Sequence, residues 1–307
     1  METTKETTPK NGTPIDVYKL INDKIIAALE KGTVPWRKPW KDANGEMPKN
    51  LATNRPYRGI NILLLLMAGY EQNLFLTFKQ AKELGAKIKD GEKANMVVFW
   101  KQIEKNEVEK EEAQTDEKKL MLRYYSVFNI AQCENIPERF LTPPPREERT
   151  FTPIQACEEI MQNMPDLPDI RHKQNKAFYN PLEDFINMPK QKAFESDEAY
   201  YATLFHELVH STGHYSRLNR KTLIEMSEFG SDAYSHEELV AEIGTCYLQN
   251  ETGITSEFEQ STAYIQEWIK RLKNDKRFIY SAATQAQKAT DFILDINDES
   301  ETKELEE

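Results

Sequence analysis

The sequence predicts an α+β protein: a small N-terminal domain that mixes helices and strands, followed by a larger, mainly helical domain. Three observations carry this expectation. Residues 96–100 and 120–130 are dense in β-branched and aromatic side chains, as strands are, whereas most of the chain from Pro153 onward spaces its apolar residues as helices do. Residues 137–153 include Pro143-Pro144-Pro145 among several charges, the composition of an extended, stiff linker. The two halves also differ in charge: residues 1–150 hold 25 Lys and Arg against 22 Asp and Glu, and the remainder 15 against 29. A chain of 307 residues is long enough for two cores.

Residues 1–12 are polar and expected to be disordered. The first domain then runs over 13–136. Thr13 and Pro14, with Asp16 in the first turn, open a helix whose apolar stripe is Val17, Leu20, Ile21, Ile25, Ala28 and Leu29, and Gly32 ends it. Pro35 and Pro39 stop the helix from continuing. The loop so formed places Trp36 and Trp40 among Arg37, Lys38 and Lys41, and Arg55, Tyr57 and Arg58 repeat the mixture ahead of an apolar helix, Ile60–Met67. Residues 31–60 carry seven Lys and Arg against two acids, so an acidic chain still concentrates positive charge locally. Cations that neutralise phosphates, alternating with rings that stack on unpaired bases, suit single-stranded nucleic acid. The same residues also suit a loop whose rings anchor in the core while its cations face water, and the pattern by itself leaves both readings open.

Further on, Thr77 is placed to cap a short helix, Phe78–Leu84, closed by Gly85. The strands at 96–100 and 120–130 flank Glu104–Lys119, a Glu- and Lys-rich stretch expected to be a solvated excursion of a hairpin. After the linker, the second domain spans 154–294, with a helix over Pro153–Met164, short strands at Ala177–Asn180 and Phe185–Met188, and amphipathic helices over Glu259–Lys273 and Lys276–Leu294. Phe185–Met188 is the expected open edge on which an extended peptide could pair. Residues 295–307 form an acidic, solubilising tail.

The chemistry centres on Leu204–His214, LFHELVHSTGH, on a helix that Ser196 can cap. A four-residue spacing puts His206 and His210 on one helix face, one turn apart, as two ligands for a metal. Glu207 sits one step round, able to reach a water at that metal without joining the ligands, the position of a general base. Four of the five histidines fall between 206 and 236, and the large apolar neighbours Tyr200, Tyr201, Leu204, Phe205, Leu208 and Val209 imply a buried helix. Buried polar groups without partners cost about 1–3 kcal/mol each, which favours a metal site over an incidental His/Glu face. The longer pattern HExxHxxGxxH fails, because Ser216 stands where its last histidine belongs. A glutamate from a second helix, starting near Ser235, fits better: Glu238 and Glu242 lie four apart on one face. Glu238 is favoured as ligand with Glu242 supporting a histidine from behind, Glu242 stands as the alternative ligand, and Ser235-x-x-Glu238 also reads as a capping box. His214 and His236 are weaker candidates. Zn²⁺ is the expected ion, and Mn²⁺ or Co²⁺ could replace it at two histidines and a glutamate.

The segments Tyr179–Pro189, Tyr200–His214, Arg217-Leu218 and Glu237–Glu242 resemble the zincin-like metallopeptidase domain of ArdC-type antirestriction proteins, over most of residues 150–294. Trp36–Trp40, Asn54–Asn61, Thr77–Leu84 and Met96–Trp100 resemble the N-terminal domain of the same family, shared with some plasmid primases. The resemblance implies single-stranded DNA as a partner, bound through Trp36, Arg37, Lys38, Trp40, Arg55, Tyr57 and Arg58, and shielding of that DNA from restriction enzymes. It also implies a peptidase of the gluzincin type, with Glu207 as base, His206, His210 and Glu238 as ligands, and a protein or peptide substrate. The alternative is a zinc-dependent protease effector of a mobile element in which DNA binding only localises the enzyme. Tyr215, Tyr234 and Arg217 are candidates to stabilise an oxyanion.

No run of 18 or more apolar residues exists, and the polar start METTKETTPK lacks a signal peptide's apolar region. Cys133, Cys157 and Cys246 form no CxxC pair, which argues for a reducing compartment. A soluble cytoplasmic protein without a membrane partner is expected.

Overall fold

The structure, a computed structural model, describes residues 16–36, 47–103, 119–141, 153–224, 231–254 and 262–296. Helix α1 (Val17–Glu30) starts where the Asp16 side chain accepts a hydrogen bond from the Lys19 backbone at 3.1 Å, and its buried stripe is Val17, Ile21, Ile25 and Leu29. Strand β1 (Lys49–Asn50) and helix α2 (Ile60–Leu66) follow, then β2 (Leu74–Leu76) and α3 (Phe78–Glu83). Thr77 and Gln80 form a complete capping box on α3. Next come β3 (Lys87–Ile88), β4 (Asn95–Ile103), β5 (Lys119–Asn129), β6 (Cys133–Glu134) and a single turn, α4 (Glu138–Leu141). The main sheet has the order β1-β2-β5-β4, with β1 parallel to β2 and the other pairs antiparallel. Alternation puts Met96, Val98 and Leu122 of the β4–β5 ribbon into the core with α1, while Val97 and Val127 face the other way, onto Leu65 and Phe75.

The second half contains α5 (Pro153–Asn163), β7 (Asp169–Arg171), β8 (Phe178–Asn180), β9 (Phe185–Asn187), α6 (Asp197–Ser211), α7 (Lys221–Ile224), α8 (Asp232–Thr252), α9 (Thr262–Asn274) and α10 (Phe278–Ile293). The small sheet runs β7-β9-β8. Its centre is β9, so the strand expected to be the open edge, Phe185–Met188, is paired on both sides and β8 is an edge instead. The apolar run Phe185-Ile186 explains the inversion, since both residues are buried and a central strand covers itself best. Helix α6 packs on α8, and Gly244 of α8 allows the approach: a Cβ there would lie 2.8 Å from Val209 Cγ2 of α6.

One hydrophobic cluster, from Val17 to Ile293, joins the two halves, while two smaller ones, around Leu76 and Ile130 and around Phe75 and Val97, belong to the N-terminal half alone. Trp36 packs edge-on against Trp268 of α9 with ring centroids 5.3 Å apart, Asn22 donates to the Leu272 carbonyl at 2.6 Å, and the Tyr247 hydroxyl of α8 donates to the Gly59 carbonyl at 2.9 Å. Short amphipathic α1 buries its stripe on the nearest large apolar surface, and the C-terminal helices provide it. Residues 1–12, most of the linker and nearly all of the acidic tail lie outside the described residues, as does 104–118. Among the described residues no helix is long and apolar enough to cross a membrane.

Candidate metal centre

Helix α6 begins at Ser196, whose hydroxyl accepts from the Ala199 backbone at 3.1 Å, and Asp197 and Glu198 complement the positive end of its dipole. Three turns later the four-residue spacing brings the Nε2 atoms of His206 and His210 to 3.1 Å of each other. Helix α8 presents Glu238 across from them, with one carboxylate oxygen 3.7 Å from His206 Nε2 and the other 3.6 Å from His210 Nε2. Ligand bonds of roughly 2.0–2.1 Å in a tetrahedral shell put neighbouring donor atoms roughly 3.3 Å apart, so two imidazoles and a carboxylate at these separations fit one small cation. Of the two glutamates the sequence offered, Glu238 belongs to this group and Glu242 does not, because four residues carry it about 6 Å further along the helix axis.

Behind the histidines lies a fully buried charge network. Glu237, with no exposed surface, accepts from Arg220 Nη2 at 2.6 Å and Arg220 Nε at 3.1 Å, and from the Thr222 hydroxyl at 2.6 Å. Its Oε1 also faces His210 Nδ1 at 3.3 Å, which fixes the ring proton on Nδ1 and leaves the Nε2 lone pair for a metal. Arg220 donates further to the Val209 carbonyl at 2.7 Å and the Thr212 hydroxyl at 2.5 Å, tying the end of α6 to α8. Burial pushes the Glu237 carboxyl up, but the Arg220 charge and the hydrogen bonds outweigh it and hold the group ionised far below the usual carboxylate range. Burial would lower His210, yet its bond to Glu237 and the surrounding carboxylates raise it to about 9, so a cation at Nε2 must displace a proton. His206 is driven well below its ordinary value by burial and by His210. No spacing in the sequence marks Glu237 and Arg220 as partners. The helix begins at Asp232, capped by the Ser231 hydroxyl, so Ser235 lies inside it and the capping-box alternative for Glu238 is removed.

Glu207 is 8% exposed. Burial pushes its carboxyl up to about 7, His210 opposes the shift, Glu238 adds to it, and a backbone hydrogen bond from Tyr179 of β8 lowers it. Nearby, Arg217 is committed elsewhere: it grips Asp184 with two bonds of 2.8 and 3.0 Å and donates to the Ser211 carbonyl at 3.1 Å, which removes it as an oxyanion donor. Tyr215 is 74% exposed. His214 Nδ1 meets the Ser216 hydroxyl at 2.8 Å, and His236 Nε2 meets the Ser281 hydroxyl at 3.1 Å, both away from the trio.

The residues expected at a DNA strand scatter. Trp36 is 2% exposed and packed on Trp268, so its ring is a core anchor and not a stacking platform, a correction to the first expectation. Arg58 is partly exposed, and its guanidinium pairs with Asp291 of α10. Tyr57 is half-buried on Phe75, and Arg55 is exposed. Arg37, Lys38 and Trp40 lie outside the described residues.

Residues 155–285 match a family model described as a zincin-like metallopeptidase, and residues 15–128 one described as the N-terminal domain of anti-restriction factor ArdC. The metal-free crystal structure of antirestriction ArdC protein from plasmid R388 is similar to this chain with a TM-score of 0.73 and 36% identity, over 95% of this chain and 100% of that one. Its Mn(II)-bound form gives 0.72 and 39%, over 92% and 98%. DNA primase TraC of Escherichia coli is 35% identical over 90% of this chain, and a second TraC 34% identical, but the match spans only 27% and 20% of their lengths. An uncharacterized protein of Sinorhizobium fredii, y4eC, is 33% identical over 94% of each.

Proposed function

The chain belongs to the family of ArdC antirestriction proteins, and on that premise we propose that it is an antirestriction protein that binds single-stranded DNA through its N-terminal half and hydrolyses peptide bonds at a metal centre. The convergence of His206, His210 and Glu238, with their donor atoms all within 4.8 Å of one another and Glu207 alongside, carries the enzymatic part. His206 and His210 hold a divalent cation through Nε2, and Glu238 through a carboxylate oxygen; Zn²⁺ fits this donor set, and Mn²⁺, as in the R388 relative, or Co²⁺ can take its place. When bound, the cation supplies Lewis acidity toward water and toward a carbonyl oxygen. Glu207, held near neutrality by burial, takes a proton from the attacking water and returns it to the leaving nitrogen. An extended peptide pairs along β8, the edge strand that packs on α6 beside Glu207. The similarity to DNA primases and the match to the ArdC N-terminal domain support DNA as the partner of the first half.

Elemental analysis and peptide turnover test the site. Glu207→Gln is expected to keep the metal content of the native chain while turnover falls by about 10²–10⁴-fold, and His206→Ala with His210→Ala is expected to lose the metal. Turnover that survives Glu207→Gln would remove that residue as the base.

A further inference from the structure

With Trp36 buried and Arg58 paired with Asp291, the β4–β5 ribbon offers the proposed DNA partner a surface among the described residues. Its register sets Val97 opposite Tyr125, Phe99 opposite Arg123 and Lys101 opposite Met121, all on the face turned away from α1. Val97 is fully buried near the sheet's centre, but outward along the ribbon the face emerges from the protein: Phe99 is 40%, Tyr125 36% and Met121 38% exposed, and Lys101 and Arg123 are exposed as well. The Phe99 and Tyr125 rings meet with centroids 5.5 Å apart at 66°, a rigid aromatic step with one flank open to solvent. Tyr57, half-buried against Phe75 on the same side of the sheet, leads to the loop that bears exposed Arg55.

Charge selects the occupant. In a chain of net charge −11, residues 95–101 and 121–127 contain no acid and place two cations, Lys101 and Arg123, beside the two exposed rings. The backbone edge of β4 is closed at Val98, whose N–H donates to the Asn61 side chain at 2.7 Å and whose carbonyl accepts from it at 2.8 Å, so an added strand of protein has no ladder to join there. What remains is a side-chain surface of rings and positive charge, which matches unpaired bases and phosphates. We propose that a single strand of nucleic acid lies across this face, bases on Phe99 and Tyr125 and phosphates on Lys101 and Arg123. The proposal rests on the single-strand reading above.

Anisotropy of a fluorescent oligothymidylate of about 20 nucleotides, titrated with the full chain, tests it. Phe99→Ala is expected to weaken binding about tenfold, the loss of one stacked base. Lys101→Glu with Arg123→Glu is expected to weaken it at least as much and to flatten its dependence on salt. Should Phe99→Ala disturb the fold in a melting curve, the charge reversal at exposed positions carries the test alone. Unchanged affinity in both variants while the native chain binds would overturn the assignment of this face and leave DNA binding standing elsewhere. A duplex that competes as well as the single strand would also overturn it, because paired bases cannot stack on the rings. A native chain that binds neither would overturn the DNA reading itself.

Discussion

The α6–α8 crossing and the outer face of the β4–β5 ribbon are built on opposite principles. At the crossing the charged groups are withdrawn from water: Glu237 is 0%, Arg220 5% and His210 7% exposed, and each has several partners. On the ribbon the rings stand 36–40% exposed. A metal centre that works on a peptide needs ligands fixed before the ion arrives, and burial with saturated hydrogen bonds provides that rigidity. A strand of nucleic acid brings its own flexible backbone and its own charge, so a binding face can stay open and still gain from each stacked ring. The first region therefore ties function to stability, and the second separates them.

The widest test of that contrast is Arg220→Met. The substitution keeps an unbranched side chain and strands the Glu237 carboxylate without its main counter-charge, an expected loss of about 3–5 kcal/mol in denaturant unfolding. Phe99→Ala, in the same assay, is expected to change stability by no more than about 0.5 kcal/mol. Equal losses at the two positions would show that both regions rest on the same packing. Gly244→Ala comes next. A new Cβ would press on Val209 Cγ2 at 2.8 Å and Cγ1 at 3.0 Å, and a β-branched side chain on a buried helix has no other rotamer to yield into. Overpacking of about 1–3 kcal/mol, offset in part by about 1 kcal/mol of helix propensity, should lower the melting temperature and widen the gap between Glu238 and the histidines, with weaker metal uptake. Adding Val209→Ala should recover much of both, and no recovery would mean that the crossing distance is set elsewhere.

How far each region could be read from the sequence follows from the same contrast. His206, Glu207, His210 and the Ser196 cap are spaced along one helix, and helical spacing is visible in any single sequence. Glu238 was reachable because it lies on a second helix of the same kind. Glu237 and Arg220 were not, since their pairing joins α8 to a loop 17 residues away and neither position repeats with a period. In the N-terminal half, Trp36 among cations has one sequence signature whether the ring faces water or Trp268, and only the packing of α1 on α9 decides. Phe99 and Arg123 fall within stretches that read simply as strands; which of their faces lies open depends on where α1 packs. The cluster that joins the two halves was hidden for that reason too, as α1 has a partner some 250 residues away along the chain.

The smallest effect is expected at the rim of the centre, where Asp184 lies between Arg217 and the Tyr179 hydroxyl, which donates to it at 2.8 Å. Burial raises the Asp184 carboxyl, but the Arg217 hydrogen bonds, with those of Tyr179, outweigh it and hold the group below its usual 3.8. The unfolded chain therefore takes up this proton first as the pH falls, and the stabilisation is complete above 3.8 and lost as pH drops through the lower, folded value. Asp184 has φ +50°, a left-handed conformation that Asn also tolerates, so Asp184→Asn removes the charge without straining the turn between β8 and β9. The native chain should melt higher than this variant at pH 6, with the difference narrowing below about pH 4. A difference that stays constant down to pH 2.5 would mean that the carboxylate charge contributes nothing to holding β8 against α6, and that Tyr179 reaches Glu207 by packing alone.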